Sequence, residues 1–205
     1  MHSVTFVNLP VAALALTVFL AAGCAREQHR PPGTPVEAQD DLGRLVRLPR
    51  PAERIVTLAP SLTETLFALG ADSAVVGVTS VCNYPPEARS RTVVGGMTNP
   101  SLERIASLDP DLVVLTVLGN NRSDFEKLEQ LRLPVFVSNP SDFGGILRSI
   151  RGLAALTGRS AQGEALRDSL DARRASLAER AERLPRASML LLVSTRPLIA
   201  ASPGT

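Results

Sequence analysis

Arg54-Ile55-Val56-Thr57-Leu58-Ala59-Pro60-Ser61-Leu62-Thr63-Glu64 is the stretch whose reading decides the fold class. Residues 54–58 form a short apolar run suited to a buried strand, and Pro60 with Ser61 supplies a helix-start signal directly behind it. Ser61-Leu62-Thr63-Glu64 fits a capping box, in which the Ser61 hydroxyl accepts the Glu64 amide and the Glu64 carboxylate returns to the Ser61 amide. Gly70 then closes the helix as a left-handed cap. A strand feeding a helix through so short a connection is half of a β-α-β unit.

The same alternation continues outward from this unit. Ala74–Val78 reads as a second strand, residues 79–86 as a long loop, and Val93-Val94 as a brief third strand ahead of Gly95-Gly96. Asn99-Pro100 reads as a cap with proline in the first turn of a helix whose stripe is Leu102, Ile105, Ala106 and Leu108. Asp109-Pro110-Asp111 stops it. Leu112–Val117 is a strand with almost no polar interruption, Ser123–Arg132 a helix and Pro134–Ser138 another strand. Nearly continuous apolar strands alternating with helices predict an α/β fold with a parallel sheet covered on both faces.

Two helices without an intervening strand follow, from about Asp142 to Leu156 and from about Ala161 to Leu184, and these break the pattern. The second would span about 36 Å. Its stripe is Leu166, Leu170, Leu177, Ala181 and Leu184, interrupted by Arg173, with Arg167/Asp171 and Glu179/Arg183 as i,i+4 pairs on the wet face. A new strand, Met189–Val193, opens what reads as a second α/β unit. Upstream, Asp40-Asp41-Leu42-Gly43-Arg44 reads as a tight turn between short strands.

Residues 1–23 contain no Asp, Glu, Lys or Arg, and the apolar run Val11–Ala22 has the length of a signal-peptide core, too short to span a bilayer. It ends in Leu20-Ala21-Ala22-Gly23-Cys24, which resembles a bacterial lipobox and implies that Cys24 becomes the acylated first residue of an exported, membrane-anchored chain. Residues 24–38, polar and rich in proline, would tether the anchor to the folded body. The other cysteine, Cys82, reads either as a small buried apolar residue or as a thiol whose partner lies outside this sequence.

Composition excludes several function classes. The 22 basic and 20 acidic residues leave a formal charge of +2, too even for a footprint on nucleic acid. Both histidines, His2 and His29, fall in the signal and tether segments, so the body offers no imidazole as base or metal ligand. There is no GxSxG elbow and no Gly-rich phosphate loop behind a strand. The expectation is a protein with no catalytic residues, no metal site of its own and no cofactor.

Four stretches in series carry a resemblance: Arg54–Glu64; Cys82-Asn83-Tyr84-Pro85-Pro86-Glu87-Ala88; Val94-Gly95-Gly96-Met97-Thr98-Asn99-Pro100-Ser101-Leu102-Glu103-Arg104-Ile105; and Leu108-Asp109-Pro110-Asp111-Leu112-Val113. In order and spacing they resemble the cobalamin, siderophore and haem binding proteins of ABC importers, whose two lobes are joined by one long rigid helix. The resemblance implies one lobe over residues 39–158, the joining helix over 159–184, and a second lobe only begun over 185–205.

It further implies a ligand cleft at the strand ends, with candidates Pro60, Ser61, Val81, Cys82, Asn83, Tyr84, Met97, Thr98, Asn99, Gly119 and Asn120. Ser61 could instead only cap its helix, and Met97 could only pack. Glu103 matches a surface glutamate that pairs with arginines of the membrane permease, although the helix dipole alone also favours a carboxylate there. The implied ligand is a metal chelate. A cobalamin-type corrinoid comes first and a ferric siderophore or haem next, despite an aromatic content of only 3%. A lipoprotein that has lost ligand binding is the remaining alternative.

Overall fold

The structure, a computed structural model, describes residues 33–185, 190, 192–195 and 198–200. The signal segment, Cys24, the tether as far as Pro32 and the expected strand start at Met189 lie outside the described residues. Two short strands come first, β1 (Val36–Gln39) and β2 (Leu45–Leu48), paired antiparallel across the expected turn. Then follow β3 (Ile55–Thr57), α1 (Pro60–Ala68), β4 (Val75–Val78), β5 (Thr92–Val93), α2 (Leu102–Ser107), β6 (Leu112–Thr116), α3 (Arg122–Gln130) and β7 (Val135–Ser138). The body closes with α4 (Phe143–Leu156) and α5 (Ser160–Glu182), and β8 (Leu192–Thr195) pairs antiparallel with β9 (Leu198–Ala200).

Strands β5-β4-β3-β6-β7 form one sheet in that order, every pair parallel, with Ile55 opposite both Val75 and Leu112. The α/β expectation with a parallel sheet therefore holds. Successive strand residues face opposite sides, and the core divides accordingly. Ile55, Val114 and Phe136 pack with Leu66, Leu153 and Leu156 on one face. Val56, Val113, Leu115 and Val137 pack with Ile105 and Leu128 on the other. Because β4 and β5 extend to one side of β3 while β6 and β7 extend to the other, the chain reverses direction of travel between β3 and β6. Loops diverge at such a point and leave a crevice at the carboxyl ends of the strands.

Local signals fared less well than the alternation. The cap of α1 is Ala59, with no side-chain cap hydrogen bond and Pro60 in the first turn, so Ser61 sits inside the helix and the capping box does not form. Proline pre-sets the helical φ and has no amide to satisfy, which moves the cap two residues upstream, from Ser61 to Ala59. At the other end the expectation holds: Gly70 has φ +69°, and the Gly70 and Ala71 amides return to the Phe67 and Leu66 carbonyls as a Schellman pair. Pro100 does not open α2. It bridges to Gly95, and the Ser101 hydroxyl caps the helix by accepting the Arg104 amide at 3.3 Å. Within α2 the expected Ala106 is exposed; Ile105 is fully buried, with Leu102 and Leu108 half-buried.

Helix α5 departs further. Gly163 is buried against Ala154 of α4, and Leu166 and Leu170 pack on the core, but every residue from Asp171 to Glu182 is exposed, Leu177 at 61%. The expected buried stripe thus stops after its first half. Arg167 pairs with Glu164, and Asp171 with Arg174 at 3.2 Å, rather than with each other. The Arg167 side chain lies mostly buried against the body, which turns it toward the i−3 carboxylate. Glu179 and Arg183 pair as expected.

The β1–β2 turn is built around Asp40, whose side chain is buried. One carboxylate oxygen accepts the Leu42 and Arg44 amides at 3.0 and 2.9 Å, and the other accepts Arg44 Nε at 3.0 Å. The turn is fastened to the rim of the sheet: the Asp41 amide donates to the Val137 carbonyl at 3.0 Å, the Val137 amide reaches the Asp40 carboxylate at 3.4 Å, and the Asn139 amide donates to Asp41 Oδ2 at 2.6 Å. Arg44 also reaches Glu129 at 2.8 Å and lies 4.5 Å from the centre of the Phe125 ring. Asp40→Ala leaves the Leu42, Arg44 and Val137 amides without this acceptor and takes from the partly buried Arg44 guanidinium its Asp40 partner, leaving it Glu129. The expected cost is about 2–3 kcal/mol, measured by urea denaturation.

Candidate functional site

Four loops leave the carboxyl ends of β3, β4, β5 and β6, and hydrogen bonds knit them into one surface. Asn120 is the central fastener. It is 8% exposed, its Oδ1 accepts the Thr116 amide at 2.9 Å, and its Nδ2 donates to the Leu58 carbonyl at 3.1 Å and the Met97 carbonyl at 2.7 Å. One side chain therefore holds the ends of β3 and β6 and the loop behind β5 in register. Asn121 adds a second tie, donating to the Thr98 carbonyl at 2.5 Å, and the Ser80 amide joins the β4 loop through the Gly95 carbonyl at 2.9 Å. The Met97 side chain lies directly over Gly119, where a Cβ would overlap its terminal methyl, so the approach needs glycine unless the methionine moves.

Around this framework the expected residues separate into three groups. Ser61, Val81, Asn83, Tyr84, Thr98 and Asn99 are exposed and free to meet a ligand; Pro60, Met97 and Gly119 are half-buried. Cys82 and Asn120 are buried, which makes them parts of the framework rather than of the face. Cys82 is a free thiol packed in the core, 3.2 Å from the Thr79 hydroxyl, in keeping with the reading of it as a small buried residue. Beneath α1, the Thr57 and Thr63 hydroxyls bond to each other in the interior, which satisfies two polar groups at the end of β3.

The face also contains apolar residues that sequence reasoning missed. Val117 and Leu118 follow β6 and are exposed, Leu118 at 83%, as are Tyr84 at 63% and Val81 in the loop behind β4. Their signal was present, since the apolar run of β6 continues past the last buried position, but a run reads as one strand until its burial is known. Aliphatic side chains, a thioether, one phenol, the Ser61 and Thr98 hydroxyls and uncharged amides make up this face; neither the expected ligand-contact residues nor Val117 and Leu118 include a charge. Among the described residues no group of three or more His, Cys, Asp or Glu side chains could hold a metal ion. The surface is suited to non-covalent contact with a large, largely apolar molecule. Glu103 stands apart, exposed in the first turn of α2 at the same end of the sheet.

Comparison with known proteins bears on this arrangement. A family described as periplasmic binding protein matches residues 55–205. The chain is 30% identical over 149 residues to a vitamin B12-binding protein of Vibrio campbellii, covering 73% of this chain and 54% of that protein. Among solved structures, it is similar to the periplasmic vitamin B12 binding protein BtuF of Vibrio cholerae, with TM-score 0.68, 27% identity, and coverage of 73% of this chain and 59% of that one. It is also similar to the periplasmic heme-binding protein RhuT from Roseiflexus sp. RS-1 in apo form, with TM-score 0.66, 30% identity, and coverage of 75% and 60%. The chain spans about half the length of the curated relatives it matches.

Proposed function

We propose, for a chain that belongs to the periplasmic binding protein family, that the strand-end surface captures a metal chelate, a cobalamin-type corrinoid first among them, for delivery to an ABC permease. The family is one of binding proteins and not of enzymes. The observation that carries the reading is the uncharged set Val81, Tyr84, Met97, Val117 and Leu118 at the strand ends, where Asn120 ties the Met97 loop to β3 and β6 and the Ser80 amide ties the β4 loop to Gly95. A flat macrocycle buries much apolar area on such a face, at roughly 25 cal/mol per Å² before the costs of association. Haem is the second ligand to consider, because a heme-binding protein is among the similar structures.

In this reading residues 39–158 form the first lobe, 159–184 the joining helix, and 185–205 the opening of a second lobe that closes over the ligand. Export with acylation of Cys24 would hold the protein at the cell envelope near its permease, through a tether that is shorter than the expected 24–38 because Val36–Gln39 already belong to β1. The chain has one tyrosine and no tryptophan. Tyr84 emission is therefore a reporter placed on the proposed face. Cyanocobalamin or hemin should quench it saturably at low micromolar concentration. Linear quenching without saturation for both, and for a ferric siderophore, would sink the reading.

Docking to the permease is assigned to Glu103. Its carboxylate is exposed, so charge reversal leaves the core untouched. Glu103→Arg should abolish uptake of the chelate by cells while the Tyr84 titration gives an unchanged Kd. A weakened Kd would place Glu103 at the ligand instead.

A further inference from the structure

Beside the strand-end face lies a cleft of about 430 Å³ that none of the expected site residues except Asn120 touches. Leu115 and Val137, both buried, form its floor at the ends of β6 and β7. Leu42 from the β1–β2 turn, Val117 from the loop behind β6 and Phe125 of α3 form its walls. Leu42 and Val117 are each close to half exposed, so these walls are not sealed into the core. A cavity of this size, apolar with a few polar groups, is of the kind that holds small organic groups.

Two features connect it with the ligand face. Val117 belongs to both surfaces, and Asn120, which clamps Met97 and Leu58, also lines the cleft. At its mouth Arg122 is the one charged residue of the lining. Its Nε donates to Glu126 at 2.8 Å, and its side chain is 90% exposed. The pair is neutral overall, so the mouth does not demand an anion, while guanidinium N–H groups remain suited to a carbonyl oxygen.

We propose that this cleft is a specificity subsite that takes a short aliphatic arm ending in a carbonyl oxygen, projecting from the edge of the bound chelate. The apolar chain would lie between Leu42, Val117 and Phe125, with its oxygen at Arg122. Leu42 reaches the cleft from the hairpin turn and not from any strand-end loop. The subsite can therefore be altered without touching the face on which the body of the ligand rests. The inference rests on the chelate reading for its source of arms, but the chemistry of the cleft is testable alone.

The experiment is methyl NMR on the 205-residue chain, following Leu42, Leu115, Val117 and Val137, with two compounds titrated separately: hexanamide and cyanocobalamin. Hexanamide should shift all four methyl sets saturably, and Leu42→Asp should remove that response while leaving the thermal midpoint unchanged. Cyanocobalamin should shift the same methyls, and Leu42→Asp should weaken its Kd about tenfold, the scale of losing a well-filled apolar pocket. If hexanamide shifts none of them, the subsite is overturned whether or not cyanocobalamin binds. If cyanocobalamin quenches Tyr84 yet leaves these methyls and the Leu42→Asp Kd unmoved, the subsite is likewise overturned while the capture reading stands. Hexanamide shifts without any cyanocobalamin response support the subsite and count against the corrinoid.

Discussion

Asn120→Asp should weaken chelate binding by about a hundredfold, the largest functional effect expected of any single-atom change in this chain. The substitution keeps the acceptor that meets the Thr116 amide but replaces the Nδ2 donor with an oxygen facing the Leu58 carbonyl at 3.1 Å and the Met97 carbonyl at 2.7 Å. Two carbonyls lose their partner and a carboxylate is introduced at a site 8% exposed. Each unmet buried group costs about 1–3 kcal/mol, and the cheapest relief is for the loop behind β5 to swing away. Met97 and Thr98 would then leave the face. The check is a Tyr84 titration with cyanocobalamin beside a urea melt, in which stability should fall by only about 2–3 kcal/mol. An unchanged Kd would mean that the loop positions do not matter to binding.

Phe136→Ala should cost about 4 kcal/mol of folding stability, a large share of the 5–15 kcal/mol typical of a domain. Phe136 is fully buried in β7, and α4 crosses it so closely that a Cβ on Gly152 would stand 2.8 Å from the ring. That glycine cannot fill the void, and the helix is already held by its neighbours, so collapse into the cavity is limited. Denaturant unfolding measures the loss. A value under about 1 kcal/mol would show that α4 can settle onto the sheet, contrary to the packing described. The proposed ligand face lies at the strand ends, so the substitution should lower the amount of folded protein without changing the affinity of what remains.

Much of this architecture was legible in the residues because it is repeated. A strand buried on both faces must be apolar almost throughout, as Leu112–Thr116 is, and each such run is followed by a helical period. The misreadings share a cause of another kind. Ser61 and Asn99-Pro100 carry local capping signals, but Pro60 and the Gly95–Pro100 bridge, which folds the loop between β5 and α2 back on itself, decide where those helices begin. The stripe of α5 has the right spacing throughout, yet burial depends on what stands opposite, and the body ends opposite Leu170.

The candidate site was legible by position more than by role. The strand-end loops were identified, while Asn120 belongs to the framework and Val117 and Leu118 belong to the face. Two of the three Asn120 bonds reach residues far away in sequence, Leu58 and Met97, and no local pattern encodes them. The Leu42 wall of the side cleft is equally hidden, for it comes from a turn more than seventy residues before the strand it covers.

The turn at Asp40–Arg44 has one more consequence. A strand at the side of a sheet presents unpaired backbone groups to any passing chain, and β7 is such a strand. Here the outward amide and carbonyl of Val137 are engaged by Asp40 and Asp41, the Asn139 amide by Asp41, and Arg44 extends toward the Val135 carbonyl at 3.4 Å. No vacant ladder remains at these positions for a second molecule to extend. At the opposite border the sheet ends in β5, only two residues long and too short to template a partner. The five-stranded sheet thus resists strand-by-strand self-association at both of its margins, so the strand-end face proposed for ligand would stay, among the described residues, the one unprotected surface of that sheet.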